Sequence, residues 1–365
     1  MKKVVNIKPR MAGTTLAGTL IMGFAIFTVT EALNPDWFGY AAIYESGGGW
    51  LKEQNRDPLF TMLIVGAEYL LGPDNYEQFR LLVGLYFVYF TYALVSGRIV
   101  NYKEMPALNG LTLLPLLTLM TPRFTVQIRE GLAVTLVIMA IGYLWRQPNR
   151  RTSDWLIGLI LFLLAGLMHS SIIILWIALL LGTVVTKLTN GSAYNERLLI
   201  VFLSMFSTIL MCASLIYLQS TNLGSSAIDF TFGWLVGNSS GMTLEKWVYW
   251  LTIGTGLSLV VKQLWSVYKI LGLPAVLRGF VGVKAFVLLP AIYFGAITLL
   301  ILDAPPILVS SLSRFMNLLL VLLLMLLIFA GRMNRSLAIF SVFVFVDQIR
   351  VIVESIGTTS LPASQ

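Results

Sequence analysis

Thr121–Leu136 reads TPRFTVQIREGLAVTL and Leu163–Leu175 reads LLAGLMHSSIIIL, with the basic pair Arg150-Arg151 between them. Arg123, Arg129 and Glu130 open one apolar run, and His169, the single histidine of the chain, interrupts the next. An ionisable group at bilayer depth costs about 2.5–3.5 kcal/mol on insertion scales, so several gathered together need a reason. The rest of the chain reads as the scaffold that brings them to one face of a membrane.

Outward from this stretch, 57% of the 365 residues are hydrophobic and 12% are charged, with a mean hydropathy of +0.83. Apolar runs near the length of a membrane span recur throughout. The composition therefore predicts an all-α polytopic membrane protein, with about 11–12 transmembrane helices and an outer re-entrant or interfacial helix. No polar segment is long enough for a soluble domain, so residues 1–365 read as a single transmembrane domain. The net charge of +8 fits Lys and Arg retained on the cytoplasmic side, and no nucleic acid is expected. Cys212 is the only cysteine, which excludes an intramolecular disulfide. Lys2, Lys3, Lys8 and Arg10 precede an apolar run that lacks a small-x-small cleavage site, as in an uncleaved first span.

The charge pattern orders the spans. Thr14–Leu33 leads outward, and 34–78 is an outer loop carrying Tyr40, a glycine hinge at 47–49 and the element Asp57–Gly72, which is too short to cross. Phe79–Gly97 returns, Ala107–Thr121 goes out with Pro115 and Pro122 breaking its end, and Val126–Trp145 comes back. Asp154–Val185 exceeds one span, and Met168-His169-Ser170-Ser171 splits it into two short crossings. Spans within 107–185 form the core. Beyond them follow Leu198–Leu218, an outer loop at 219–246, Trp247–Trp265, Lys284–Leu302, an outer loop at 303–314, Phe315–Gly331 and Ser336–Glu354. This arrangement keeps most of the Lys and Arg inside.

The positive charges it leaves outside are mainly arginines: Arg56, Arg80, Arg123, Arg129 and Arg314. A guanidinium fork binds phosphate or carboxylate in bidentate fashion and stays charged when partly desolvated. Snorkelling or an ordinary ion pair such as Arg56–Asp57 accounts for Arg56 and Arg80. Arg129, with Glu130 beside it and Arg123 upstream, forms a dense polar corner in an apolar wall and reads as functional. His169 is either a core imidazole bonded to a carbonyl or a general base at the break of a split helix, with Ser170 and Ser171. Glu130 and Asp57 are the alternative bases. Tyr40, Gln127 and Ser170 join the arginines as substrate-binding candidates. The aromatic outer loops read as an interfacial belt, with sugar stacking as the alternative.

The sequence contains no P-loop, no GxGxxG and no G-x-S-x-G elbow. One His and one Cys do not make a transition-metal site. The outer carboxylates Asp36, Glu45, Glu53, Asp57 and Asp303 form no tight cluster for a hard cation. No metal and no nucleotide cofactor are expected.

IREGLAVTL resembles the IRQGLA signature of EpsG-like and Wzy-type bacterial polysaccharide polymerases. LLAGLMHSSIIIL is similar to the H-S segment that follows it there, and RDPLFTMLI to the EPLF element after the first outer loop. Glu130 stands where those proteins have Gln, and Arg56-Asp57 where a glutamate is usual. The resemblance covers most of Trp37–Leu181. Past Lys187 it is hydropathy and a late arginine, Arg314. It implies a C-type glycosyltransferase that depends on a polyprenyl diphosphate and faces the periplasm from the bacterial inner membrane. Its implied partners are undecaprenyl-diphosphate-linked glycan donor and acceptor, membrane lipids, and, as a further candidate, a chain-length regulator. The growing O-antigen, capsular or exopolysaccharide chain would pass from its carrier to an incoming lipid-linked repeat. A flippase or other transporter is an alternative, but would need its polar groups spread through the membrane's depth. An O-antigen ligase shares the polymerase layout.

Overall fold

The computed structural model describes residues 9–29, 37–53, 56–96, 110–145, 152–189, 192–220, 244–267, 275–302, 306–329 and 334–343. Every regular element among them is helical, as a polytopic membrane protein requires. Four helical runs are long and apolar enough to cross a membrane: Tyr76–Val95, Ser170–Leu188, Tyr194–Tyr217 and Arg278–Ile301. Shorter apolar helices stand at Gly13–Thr28, Pro58–Leu71, Ser153–Met168 and Leu318–Leu327. The chain packs as two compact units, one of Met1–Ile173 with Ile328–Gln365, the other of Ile174–Leu327.

The first unit holds α1 (Pro9–Thr28), α2 (Trp37–Glu45), α3 (Gly49–Glu53), α4 (Pro58–Leu71), α5 (Tyr76–Val95), α6 (Gly110–Thr125), α7 (Ile128–Trp145) and α8 (Thr152–Met168). At 14 residues α4 extends about 21 Å, short of a hydrocarbon core of about 30 Å. α7 lies along α8, and α1 lies against α5 and α6. Gly131 lets α7 approach the end of α6 closely, because a Cβ there would strike the Arg123 carbonyl and the Phe87 ring. Phe87 in turn stacks on Phe124, centroids 4.1 Å apart. The hydroxyl of the buried Tyr44 donates to the Gly72 carbonyl at 3.0 Å and its ring stacks on Phe79, which fastens α2 over the turn between α4 and α5.

The sequence expectation for α6 needs correction. The helix does not break at Pro115 and Pro122 but runs through both to Thr125. Side-chain donors supply bonds to carbonyls along this stretch: Thr118 to Pro115, Thr121 to Leu117, Arg123 to Leu119 and Thr125 to Thr121.

The second unit holds α9 (Ile173–Leu188), α10 (Ala193–Ser220), α11 (Leu244–Val267), α12 (Ala275–Val283), a π-helical turn at Lys284–Leu288, α13 (Leu289–Ile301) and α14 (Pro306–Phe329). Glu196, fully buried at the head of α10, accepts from Arg278 at 2.8 Å. The buried ammonium of Lys284 sits 4.8 Å from the Phe280 ring centre. α9 and α12 touch backbone to backbone where Gly182 meets Gly279 and Phe280. The loop expected at 303–314 is helical from Pro306, so Arg314 lies about two turns inside α14. Its side chain lies outside the described residues, as do residues 146–151, 221–243 and 344–365, on which the expected basic turn, most of an outer loop and part of the last span fall.

The Gly182–Gly279 contact has no room for a methyl group on either helix. Gly182→Ala or Gly279→Ala should cost about 1–3 kcal/mol as an overpacked contact, seen as a lower melting temperature in detergent. Gly66→Ala on α4 is the control: its Cβ meets no atom within 4 Å, and alanine favours a helix over glycine, so its melting temperature should hold or rise.

Candidate active site

The site is built around one aspartate. Asp57 precedes Pro58 and occupies the left-handed region at φ 47°, ψ 55°. That conformation costs a non-glycine residue of order 1–3 kcal/mol unless the surroundings enforce it. The carboxylate does not cap its own helix. It points away from α4, and its side chain is 2% exposed. Three donors converge on it. Arg129 Nη1 approaches Oδ2 at 2.7 Å, the Ser170 backbone N–H donates to Oδ1 at 2.7 Å, and His169 Nδ1 lies 3.4 Å from Oδ2. Three elements distant in sequence are thereby clasped: the head of α4, the head of α7 and the end of α8.

Each donor is local in origin. α8 ends at Met168, and His169 takes an extended conformation (φ −152°, ψ 119°) before the 3-10 turn Ser170–Ile172. That break leaves the Ser170 N–H without a helical acceptor, and Asp57 supplies one. Arg129 sits in the first turn of α7, where its backbone N–H has no acceptor within the helix and donates to the Tyr40 hydroxyl at 3.5 Å. Its guanidinium lies 5.7 Å from the Tyr40 ring centre and 5.9 Å from that of Phe60, two faces that favour a cation. The Arg129 and His169 side chains are 20% and 21% exposed, so both reach the surface of a site whose carboxylate does not.

Burial pushes the Asp57 carboxyl up, but the hydrogen bond of His169, its charge when protonated, the charge of Arg129 and the Ser170 N–H outweigh it and hold it below the usual carboxylate range. An ionised partner at Nδ1 favours the imidazole tautomer with its proton there. That leaves the Nε2 lone pair to accept a proton from elsewhere.

Arg123 and Glu130, expected in the same corner as Arg129, form a separate pair. Arg123 is 1% exposed; its Nε donates to Glu130 at 2.9 Å and its Nη1 to the Leu119 carbonyl at 2.8 Å. The two charges next to each other in sequence thus choose different partners, Arg129 with Asp57 and Glu130 with Arg123. Gln127 lies in the link between α6 and α7, where its N–H donates to the Pro122 carbonyl. Ser170 meets Asp57 through its backbone, and its side chain is exposed. Arg80 is half-buried in the second turn of α5. Arg56 is exposed, and the Arg56–Asp57 pair allowed from the sequence is replaced by Arg129–Asp57. Arg314 belongs to the second unit. Phe60 was not singled out in the sequence, though it lies in the DPLF stretch three residues past Asp57, one helical turn along.

Asp57→Asn keeps the shape but removes the charge. Its cost should be largest near neutral pH, because a carboxyl with a depressed folded pKa contributes stability that is complete above its unfolded value of about 4. That contribution is lost as pH falls through the lower folded value. The difference in melting temperature between wild type and Asp57→Asn should therefore shrink on acidification below about pH 4; a difference independent of pH would mean the carboxylate is not held ionised.

The EpsG family model matches residues 15–357 of the chain. No curated protein and no solved structure matches it.

Proposed function

The chain therefore belongs to the EpsG family, and on that premise we propose that it polymerises polyprenyl-diphosphate-linked oligosaccharide repeats on the outer face of the inner membrane. Membership supports a polysaccharide-polymerase role in general. The finer reading rests on one observation: a buried carboxylate holds an imidazole and a guanidinium together at the rim of a single site.

The proposed step is a glycosyl transfer. A hydroxyl of the incoming lipid-linked repeat attacks the anomeric carbon that joins the growing glycan to its carrier. The new C–O bond forms as the bond from that carbon to the diphosphate oxygen breaks, and polyprenyl diphosphate leaves as an anion. His169 Nε2 takes the hydroxyl proton, since Nδ1 faces the Asp57 carboxylate and the Nε2 lone pair is left to accept. Asp57 orients His169 and balances the imidazolium that results. Arg129 stabilises the negative charge that grows on the leaving diphosphate, in a site where burial strengthens the attraction. Arg123 and Glu130 act through the fold, by fixing the head of α7. Tyr40 and Phe60 hold the guanidinium in place. The carrier supplies the activation, so the reaction draws on no nucleotide and no metal.

Purified protein in detergent, given lipid-linked repeats alone, should build ladders of repeats, and His169→Ala should abolish them while the protein stays folded. In a deletion strain the surface glycan should carry a single repeat. Long chains stranded on the carrier would make the protein a ligase, and single repeats trapped inside would make it a flippase; either result overturns the proposal.

Arg129→Lys keeps the charge but loses the planar fork that meets Asp57 and the leaving group together. The initial rate of ladder formation should fall by about a hundredfold or more, the scale for removing one transition-state charge stabiliser. A near-normal rate with lysine would limit Arg129 to countering the Asp57 charge.

A further inference from the structure

Beside the polar site the first unit contains an open apolar groove of about 590 Å³, walled by α4, α5, α7 and the last residue of α8. That size is ordinary for a ligand site, which typically spans about 300–1,000 Å³. Its lining includes the small residues Gly66 and Ala67 on α4 and Leu132 and Leu136 on α7. The only polar group in its lining is the Tyr86 hydroxyl, which bonds Thr135 at 2.8 Å. Nothing in the groove recognises a sugar or a headgroup. It is also open at the side, since Met62 and Leu70 on its rim are 70% and 80% exposed.

Two continuities tie this groove to the polar site. Arg129, Leu132 and Leu136 stand at i, i+3 and i+7 of α7, so the face that begins with the guanidinium continues as the groove wall. Met168, which closes the groove, immediately precedes His169. The lining on α4 runs from Met62 to Leu71, about 14 Å along the helix axis. A ligand that fills it is therefore long, apolar and joined at one end to a group held at Arg129 and His169.

We propose that this groove binds the polyprenyl chain of the lipid-linked substrate, its diphosphate end lying toward Arg129 and its tail running between α4 and α5 into the bilayer. This rests on the glycosyl-transfer reading and extends it to the lipid half of the substrate. Lateral opening lets the lipid enter from the membrane without leaving it, and the apolar walls hold the isoprenoid by burial alone.

The test uses the full chain and a polyprenyl diphosphate without glycan, carrying a photoreactive group on its hydrocarbon tail. Labelled peptides should come from Met62–Leu71 and Phe79–Tyr86. Unlabelled polyprenyl diphosphate should compete, and phosphatidylglycerol should not. Gly66→Phe places a ring in open space, where a Cβ meets no atom within 4 Å, and improves the helix propensity of α4. It should leave the melting temperature intact and reduce labelling by about tenfold or more. Equal competition by phosphatidylglycerol would make the groove a resting place for bilayer lipid, and undiminished labelling of Gly66→Phe would place the tail elsewhere; either overturns the proposal. The label needs no glycan transfer, so a protein that labels but builds no ladders refutes only the reaction. One that builds ladders but does not label refutes only the groove.

Discussion

The first unit depends on the negative charge of Asp57. A carboxylate with 2% of its side chain exposed is sustained only if charges and donors surround it. Here a guanidinium, a backbone N–H and an imidazole do so, each from a different part of the chain. Removing one partner of a buried ion pair typically costs about 3–5 kcal/mol, because the other charge is left stranded. That energy exceeds the strain of the left-handed backbone at Asp57, which therefore persists. The same anion that locks three helix ends together also selects the tautomer of His169. Architecture and chemistry are thus one interaction at this point.

The crosswise pairing of Arg123 with Glu130 and Arg129 with Asp57 follows from helix geometry. Residues adjacent on an α-helix point about 100° apart, so Arg129 and Glu130 cannot share a partner on one side. Glu130 turns back toward α6 and meets Arg123, which is already bonded to the Leu119 carbonyl. Arg129 turns toward α2 and α4, where Tyr40 and Phe60 flank it. Gly131 then brings α7 close to the end of α6, where the Arg123–Glu130 pair forms. One residue of difference in position separates the charge that builds the corner from the charge that reaches its surface.

Helical class and the weak point of the long apolar run were legible because they rest on local patterns. Hydropathy marks the helices, and the polar MHSS stretch marks where α8 gives way to a 3-10 turn. The three stretches that meet, RDPLF, VQIREGLA and LMHSS, stand out as polar interruptions of apolar sequence. Partner choice was not legible. Nothing in a linear chain says that Asp57 pairs with a residue 72 positions away instead of with Arg56 beside it. The run of α6 through two prolines was hidden as well, since proline read along a linear chain marks a helix break. The start of α14 was read as a loop because an apolar helix that begins with proline looks, at its start, like one.

α7 joins the two halves of the site. Its first turn carries the guanidinium and its next two turns carry the leucines of the groove. A helix entering an apolar layer presents this order naturally: polar groups cluster at its end, where backbone N–H groups also need acceptors, and apolar groups follow. A ligand lying along such a face must change character at the same depth, with an anionic head and an apolar tail. Lipid-linked glycans have this form. Their diphosphate is the group that must leave, and their tail is the part common to donor and acceptor. A site that read the sugar first would need polar side chains along the groove, and the sole polar group there already bonds Thr135. The proposed glycosyl transfer thus assigns to the first unit recognition of the carrier and its diphosphate, with the glycan placed where His169 and Arg129 reach the surface.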